Sequence, residues 1–213
     1  MPISTSQDCK LNFYTNPQSR GQIARWMLEE VGAEYRQEIL EYGEDMKSEE
    51  FLKINPMGKV PTIVHNGKVV TECAAICAYL ADAFSEVGLA PSLDNRAEYY
   101  RWLFFSAGPL EAAIVNRSLG VDVKDGQERM VGYGNYKLVL DVLSEQLLNS
   151  PYVVGEKFTA ADVYVGSHVL WGLQFGSMEQ RPGFEEYAAR LVERPAFKAA
   201  KKLDDQLIAD KEG

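Results

Sequence analysis

Three stretches of the chain put polar or conformationally fixed residues where a ligand could meet them. The first is Tyr14-Thr-Asn-Pro-Gln-Ser19-Arg20, which joins a strand-like segment to a helix-like one. Ser19 falls at or just inside the helix start, where unpaired backbone N–H groups and the positive end of the dipole favour an anion. A serine there also serves simply as an N-cap. Tyr14, at the strand end, also fits a half-buried aromatic with a wet hydroxyl. The second stretch is Asn55-Pro-Met-Gly-Lys59-Val60-Pro61-Thr-Ile-Val64. A proline entering a strand cannot donate to the ladder. A cis Val60–Pro61 bond would leave the Val60 N–H and C=O open to an extended, peptide-like ligand, whereas a trans bond makes Pro61 a plain edge proline. The third is Thr71-Glu72-Cys73-Ala-Ala-Ile76, opening another helix. Glu72 there complements the dipole. Alternatively, it pairs with a ligand ammonium while the first N–H groups hold the ligand carboxylate.

Other chemistries lack their residues. With only His65 and His168, and with Cys9, Cys73 and Cys77 in no C-x-x-C arrangement, neither a metal centre nor a disulfide framework is expected. A glycine-rich phosphate loop is missing, as is a Ser/His/Asp set. Lys+Arg 22 against Asp+Glu 31 leaves a net charge of −9. That excess is spread along the chain, which argues against nucleic acid and anionic membrane surfaces as partners. The first ten residues lack a signal-peptide layout, and no apolar run approaches the ~18 residues of a membrane span. A soluble, cytoplasmic protein is expected.

The elements that must position these residues follow from periodicity. Lys10 to Tyr14 alternates as a strand; Ile23, Met27, Leu28 and Val31 recur at helical spacing, with Gly32 as the stop. Tyr35 to Leu40 is a second strand, and Glu41 to Glu50 an acidic solvated loop or helix face. Val60 to His65 and Lys68 to Val70 flank the hairpin turn Asn66-Gly67. Ala74 to Ala83 reads as a helix with Ile76, Tyr79 and Leu80 buried. The order β-α-β, then β-β-α, predicts a small α/β layer with a mixed sheet. Ser85 to Asn95 reads as a linker. Beyond it, Arg96 to Leu119, Gln127 to Asn149, Ala160 to about Gly176 and two segments flanking Pro195 all read as helices. The expected division is 1–84, a linker at 85–95, and an all-helical 96–213. Within the helical part, Phe158-Thr159-Ala-Ala-Asp162-Val163 is an N-capping box, with Phe158 expected to staple onto Val163.

Taken together, in this order and ahead of an all-α half, the three stretches, Asp82 and the Thr159–Asp162 box resemble the glutathione transferase superfamily over nearly the whole chain. The resemblance implies a thioredoxin-like N-terminal domain, a cis Pro61, a helical-bundle C-terminal domain and a homodimer. It implies that Val60 pairs through its backbone with the cysteinyl part of glutathione. Glu72 and the residue at Cys73 would hold the γ-glutamyl end, while Lys59 and Lys47 meet the glycyl carboxylate. Ser19 stands five residues after Tyr14, where the bacterial beta-type enzymes that this chain looks most like carry a cysteine; plant and theta-type relatives have a catalytic serine in a comparable place. The tyrosine-type spacing does not match Tyr14. Two departures stand out: Cys73 replaces the usual serine, and the basic residues of beta-type enzymes are missing near Glu111 and Ala112.

The implied chemistry needs a thiolate. A thiol of pKa ~8.5 is only about 3% ionised at pH 7, and lowering it by ~2 units corresponds to about 2.7 kcal/mol. A Ser19 hydroxyl hydrogen bond and a helix N-terminus are suited to supply this. The expected activity is a detoxifying transfer of glutathione, as co-substrate and without metal, to a small apolar electrophile, with Ser19 and then Tyr14 as candidate activators. Peroxidase or isomerase chemistry on the same fold, and a non-catalytic interaction module, are the alternatives.

Overall fold

The computed structural model describes residue 3, residues 9–121 and residues 123–212. A four-stranded sheet in the order β2-β1-β3-β4 is built from β1 (Leu11–Thr15), β2 (Arg36–Ile39), β3 (Thr62–His65) and β4 (Lys68–Thr71). β1 runs parallel to β2 and antiparallel to β3, which pairs antiparallel with β4. The sheet is mixed, as the element order predicts. Leu11, Phe13 and Thr15 are buried on one face of β1, while Asn12 and Tyr14 alternate to the other. In the β3–β4 hairpin, Asn66 and Gly67 have φ of 52° and 75°, the positive pair that a tight two-residue turn demands.

Helix α1 (Gly21–Val31) buries Ile23, Met27, Leu28 and Val31, and ends on Gly32 in the left-handed conformation. A short helix, α2 (Glu49–Ile54), begins at the end of the acidic stretch Glu41–Glu50 and runs beyond it; Ser48 caps it by accepting from the Phe51 N–H. Helix α3 (Cys73–Ala83) buries Ile76, Cys77 and Leu80. Tyr79, expected in that stripe, is half-buried, and its hydroxyl lies 3.1 Å from His65 Nδ1.

The chain forms two compact units, Met1–Val87 with Glu193–Gly213, and Gly88–Val192. This groups the last helix, α9 (Pro195–Glu212), with the α/β layer, whereas the sequence reading ran 96–213 together. The reason is a buried charge. Arg25 of α1 is fully buried and its Nε donates to Asp204 at 2.8 Å, while Nη1 donates to the Tyr35 hydroxyl and Gln37. Phe197 packs edge-on against Trp26, and Arg194 forks onto Glu30. A charge buried this deeply needs its partner, and losing one half of such a pair costs roughly 3–5 kcal/mol.

The second unit is helical: α4 (Ala97–Phe105), α5 (Glu111–Ser118), α6 (Tyr136–Asn149), α7 (Ala160–Phe175) and α8 (Phe184–Val192). Two expectations shift. The segment read as one helix from Arg96 to Leu119 is interrupted by a π-helical turn at Ser106–Leu110 that contains Pro109. Proline removes a donor and crowds the preceding turn, and widening the helix absorbs it. Residues 127–135 form turns, and α6 starts only where Asn135 accepts from the Leu138 N–H.

Candidate functional site

Register brings the three stretches to one end of the sheet. Thr62 pairs with Tyr14 on one side and Thr71 on the other. The loop leading to Ser19 follows Tyr14, Val60-Pro61 precedes Thr62, and Glu72 follows Thr71, so all three leave the sheet together. The helix starts meet as well, since the Cys73 Sγ donates to the Arg20 carbonyl at 3.7 Å.

At the start of α1, Ser19 Oγ accepts from the Gly21 N–H at 2.9 Å and donates to the Asn16 carbonyl at 2.7 Å. Standing one residue before the N-cap Arg20, rather than at or inside the helix start, it therefore caps the first N–H of α1 in this state, and its single proton is directed at a backbone oxygen. The same carbonyl also receives the Ser19 N–H at 3.1 Å, so it keeps a partner if the hydroxyl turns away. Exchanging a neutral carbonyl for a thiolate trades one acceptor for a charged and stronger one. Tyr14 lies on the opposite sheet face from Thr15, its ring 5.5 Å from Phe51 of α2. Burial first, and the Glu38 carboxylate second, push its phenol above the ordinary range.

Val60–Pro61 is cis. The Val60 N–H and C=O have no partner among the described residues, and Asn55 holds the turn from below, donating to the Lys59 carbonyl and to Thr62 Oγ1 at 2.8 and 3.0 Å. Lys59 is exposed. Lys47 reaches the same turn but spends two of its donors there, on the Met57 and Gly58 carbonyls at 2.9 and 3.1 Å. It braces the turn that presents Lys59.

Glu72 has φ 65°, ψ 122°, a conformation costing of order 1–3 kcal/mol for a residue with a Cβ. It occupies the N-cap of α3, yet its exposed side chain makes no capping hydrogen bond. The start of α3 thus offers backbone N–H groups beside a carboxylate, the two complements of an amino-acid head group.

Two residues here were missed from sequence. Asn16, buried, accepts from the Gln18 N–H and donates to the Leu40 carbonyl at 2.9 Å, holding the loop to the sheet edge. Its Asn-Pro setting is a turn signal that could have found it. Thr15 is fully buried with Oγ1 unpartnered, and nothing in its spacing marks it. Beside this loop lies a cavity of about 180 Å³ lined by Asn16, Pro17, Gln18, Ile208 and Lys211, all within the first unit. Among the described residues there is no cluster able to hold a metal ion and no helix long and apolar enough to cross a membrane.

Comparison with known proteins bears on this geometry. Residues 9–82 match the family model of the glutathione S-transferase N-terminal domain, and residues 109–195 that of its C-terminal domain. A probable glutathione S-transferase of Nicotiana tabacum is 30% identical, over 93% of this chain and 82% of that protein. The disulfide-bond oxidoreductase YghU of Escherichia coli is also 30% identical, over 88% of this chain and 73% of that protein. Among solved structures, the glutathione transferase URE2P6 of Phanerochaete chrysosporium, in complex with oxidized glutathione, superposes with a TM-score of 0.76. It is 25% identical and covers 95% of this chain and 99% of that one.

Proposed function

The chain belongs to the glutathione S-transferase superfamily, and on that premise we propose that it binds glutathione along the shared sheet end and activates its thiol for attack on small electrophiles. The start of α3 carries this reading: a strained Glu72 whose side chain caps nothing, beside the first backbone N–H groups of the helix. In the proposed complex Glu72 takes the γ-glutamyl ammonium, and the N–H groups at Cys73 and beyond take its carboxylate. Val60 pairs with the cysteinyl backbone through its vacant N–H and C=O. Lys59 meets the glycyl carboxylate, with Lys47 bracing the turn around Pro61.

Ser19 then turns its proton from the Asn16 carbonyl to the sulfur, at the positive end of α1. Tyr14, on the other sheet face with its phenol pushed up, is the weaker candidate activator. The second substrate in this reading is a small, largely apolar electrophile held beside the sulfur. We further propose a homodimeric cytoplasmic enzyme of detoxifying type, needing neither metal nor a nucleic-acid or membrane partner, with the division 1–84, 85–95 and 96–213 as its functional domains. Light scattering at about twice 23.8 kDa supports the dimer, and a clean 23.8 kDa species refutes it.

Retention on immobilised glutathione with elution by the free tripeptide, followed by conjugation of an activated aryl chloride, tests the function. Failure to bind makes the chain an interaction module instead. Likeness to a disulfide-bond oxidoreductase keeps one second reading open, reduction of a peroxide or disulfide through the same bound thiolate; turnover of an organic hydroperoxide without aryl conjugation favours it.

A further inference from the structure

Two hydroxyls converge on the first turn of α1. A Cβ built on Gly21 would stand 2.0 Å from Thr15 Oγ1 and 3.0 Å from Ser19 Oγ. Glycine is therefore required here by space, and its bare Cα lets the end of β1 and the cap of α1 close on each other. Of the two hydroxyls, Ser19 accepts from Gly21 and donates to Asn16, which leaves one lone pair on its oxygen open. Thr15 is 0% exposed, and its Oγ1 has no hydrogen-bond partner. A buried hydroxyl left without a partner carries a desolvation cost that the fold otherwise avoids, since most such groups find one.

We propose that Thr15 is a positioning residue for Ser19: when Ser19 turns its proton from the Asn16 carbonyl to a bound thiolate, the Thr15 hydroxyl donates to Ser19 Oγ. The Ser19 oxygen then keeps the Gly21 N–H, gains the Thr15 O–H, and gives its own proton to sulfur. Each donor on that oxygen polarises its O–H, so the bond to sulfur strengthens along the chain. Thr15 obtains in the liganded state the partner it lacks in the free one. The other charged and titratable groups around this turn are Arg20 and Cys73 at the helix starts, Glu72, the Tyr42 hydroxyl on the Gln18 carbonyl, and the Lys211–Glu41 pair beside the 16–18 loop.

This inference rests on the reading that Ser19 activates the thiol, and the test separates the two. The thiolate absorbance of bound glutathione, taken as a difference against the ligand-free protein, is followed with pH in Thr15→Val, Thr15→Ser, Ser19→Ala and the Thr15→Val/Ser19→Ala double variant. Thr15→Val keeps the shape and removes the donor; Thr15→Ala makes the same comparison if the valine variant does not fold. The midpoint is expected to rise by about 0.3–0.6 pH unit in Thr15→Val. Thr15→Ser should restore it, and the valine change should add nothing in the Ser19→Ala background. An unchanged midpoint in folded Thr15→Val, while Ser19→Ala shifts, overturns the role of Thr15 and leaves the function standing. An equal shift with and without Ser19 overturns it as well, because Thr15 then acts alone. No shift in Ser19→Ala removes the activator and this inference with it.

Discussion

Two helix starts in this molecule use the same groups to opposite ends. At α7, Asp162 is fully buried and accepts four hydrogen bonds: from the Val153 and Thr159 N–H groups, the Thr159 hydroxyl and the Tyr187 hydroxyl, at 2.7 to 3.1 Å. Burial pushes its carboxyl up to about 6, against the pull of those donors. At α3, Glu72 sits at the N-cap itself, three positions earlier in its helix than Asp162 in α7, with a strained backbone, and satisfies no helix N–H with its side chain. One start is closed by its own carboxylate, and the other is held open beside one. A carboxylate at a helix N-terminus therefore indicates neither stability nor binding by itself. What separates the two is position: Asp162, at N3, reaches back to the N-cap N–H and to Val153, whereas Glu72 stands at the N-cap with its side chain left outside the helix.

The largest effect is expected from breaking the closed start. Asp162→Ala leaves four buried donors without an acceptor and should lower stability by about 3 kcal/mol or more. That is a fall in melting temperature of roughly 6–12 °C for a chain of this size. Breaking the open start should do the reverse. Glu72→Ala should raise the Michaelis constant for glutathione about tenfold or more, because a charged hydrogen bond is worth ~1.5–3 kcal/mol, while the melting temperature stays put. A large loss of stability in Glu72→Ala with unchanged glutathione kinetics would make the two starts alike and remove Glu72 from the site.

Much of this contrast was legible in sequence, but not all of it. The Thr159–Asp162 spacing announces the capping box. Its Phe158, expected to staple onto Val163, also packs edge-on against Tyr152, a contact the spacing does not announce. The Asn66-Gly67 turn, the Gly32 stop and the mixed sheet were readable because each depends on local conformation or on alternation. The π-helical turn at Pro109, the docking of α9 through Arg25 and Asp204, and the buried Thr15 were not. Each depends on what a residue meets across the fold, and local periodicity does not carry that. The Glu72 conformation was equally silent, since a glutamate gives no sign of a positive φ.

A milder cut sharpens the comparison at the neighbouring cap. Asn135→Ala, which removes an ordinary exposed cap of α6, should cost about 1 kcal/mol, below the effect at Asp162, and leave glutathione binding alone. Smaller still is Cys73→Ser. A hydroxyl at the start of α3 should tighten glutathione severalfold at most, since one neutral hydrogen bond contributes ~1 kcal/mol. Calorimetric titration checks it.

The most direct measurement on the central claim is the pH titration of bound-glutathione thiolate absorbance in the parent protein, Ser19→Ala and Tyr14→Phe. Ser19→Ala should retain much of the glutathione affinity yet move the thiolate midpoint upward by about 1 to 2 pH units, with turnover near neutrality falling in step, and Tyr14→Phe should do less of both. A shift in Tyr14→Phe with none in Ser19→Ala would contradict the assignment and leave Ser19 as the helix cap it is in the free state.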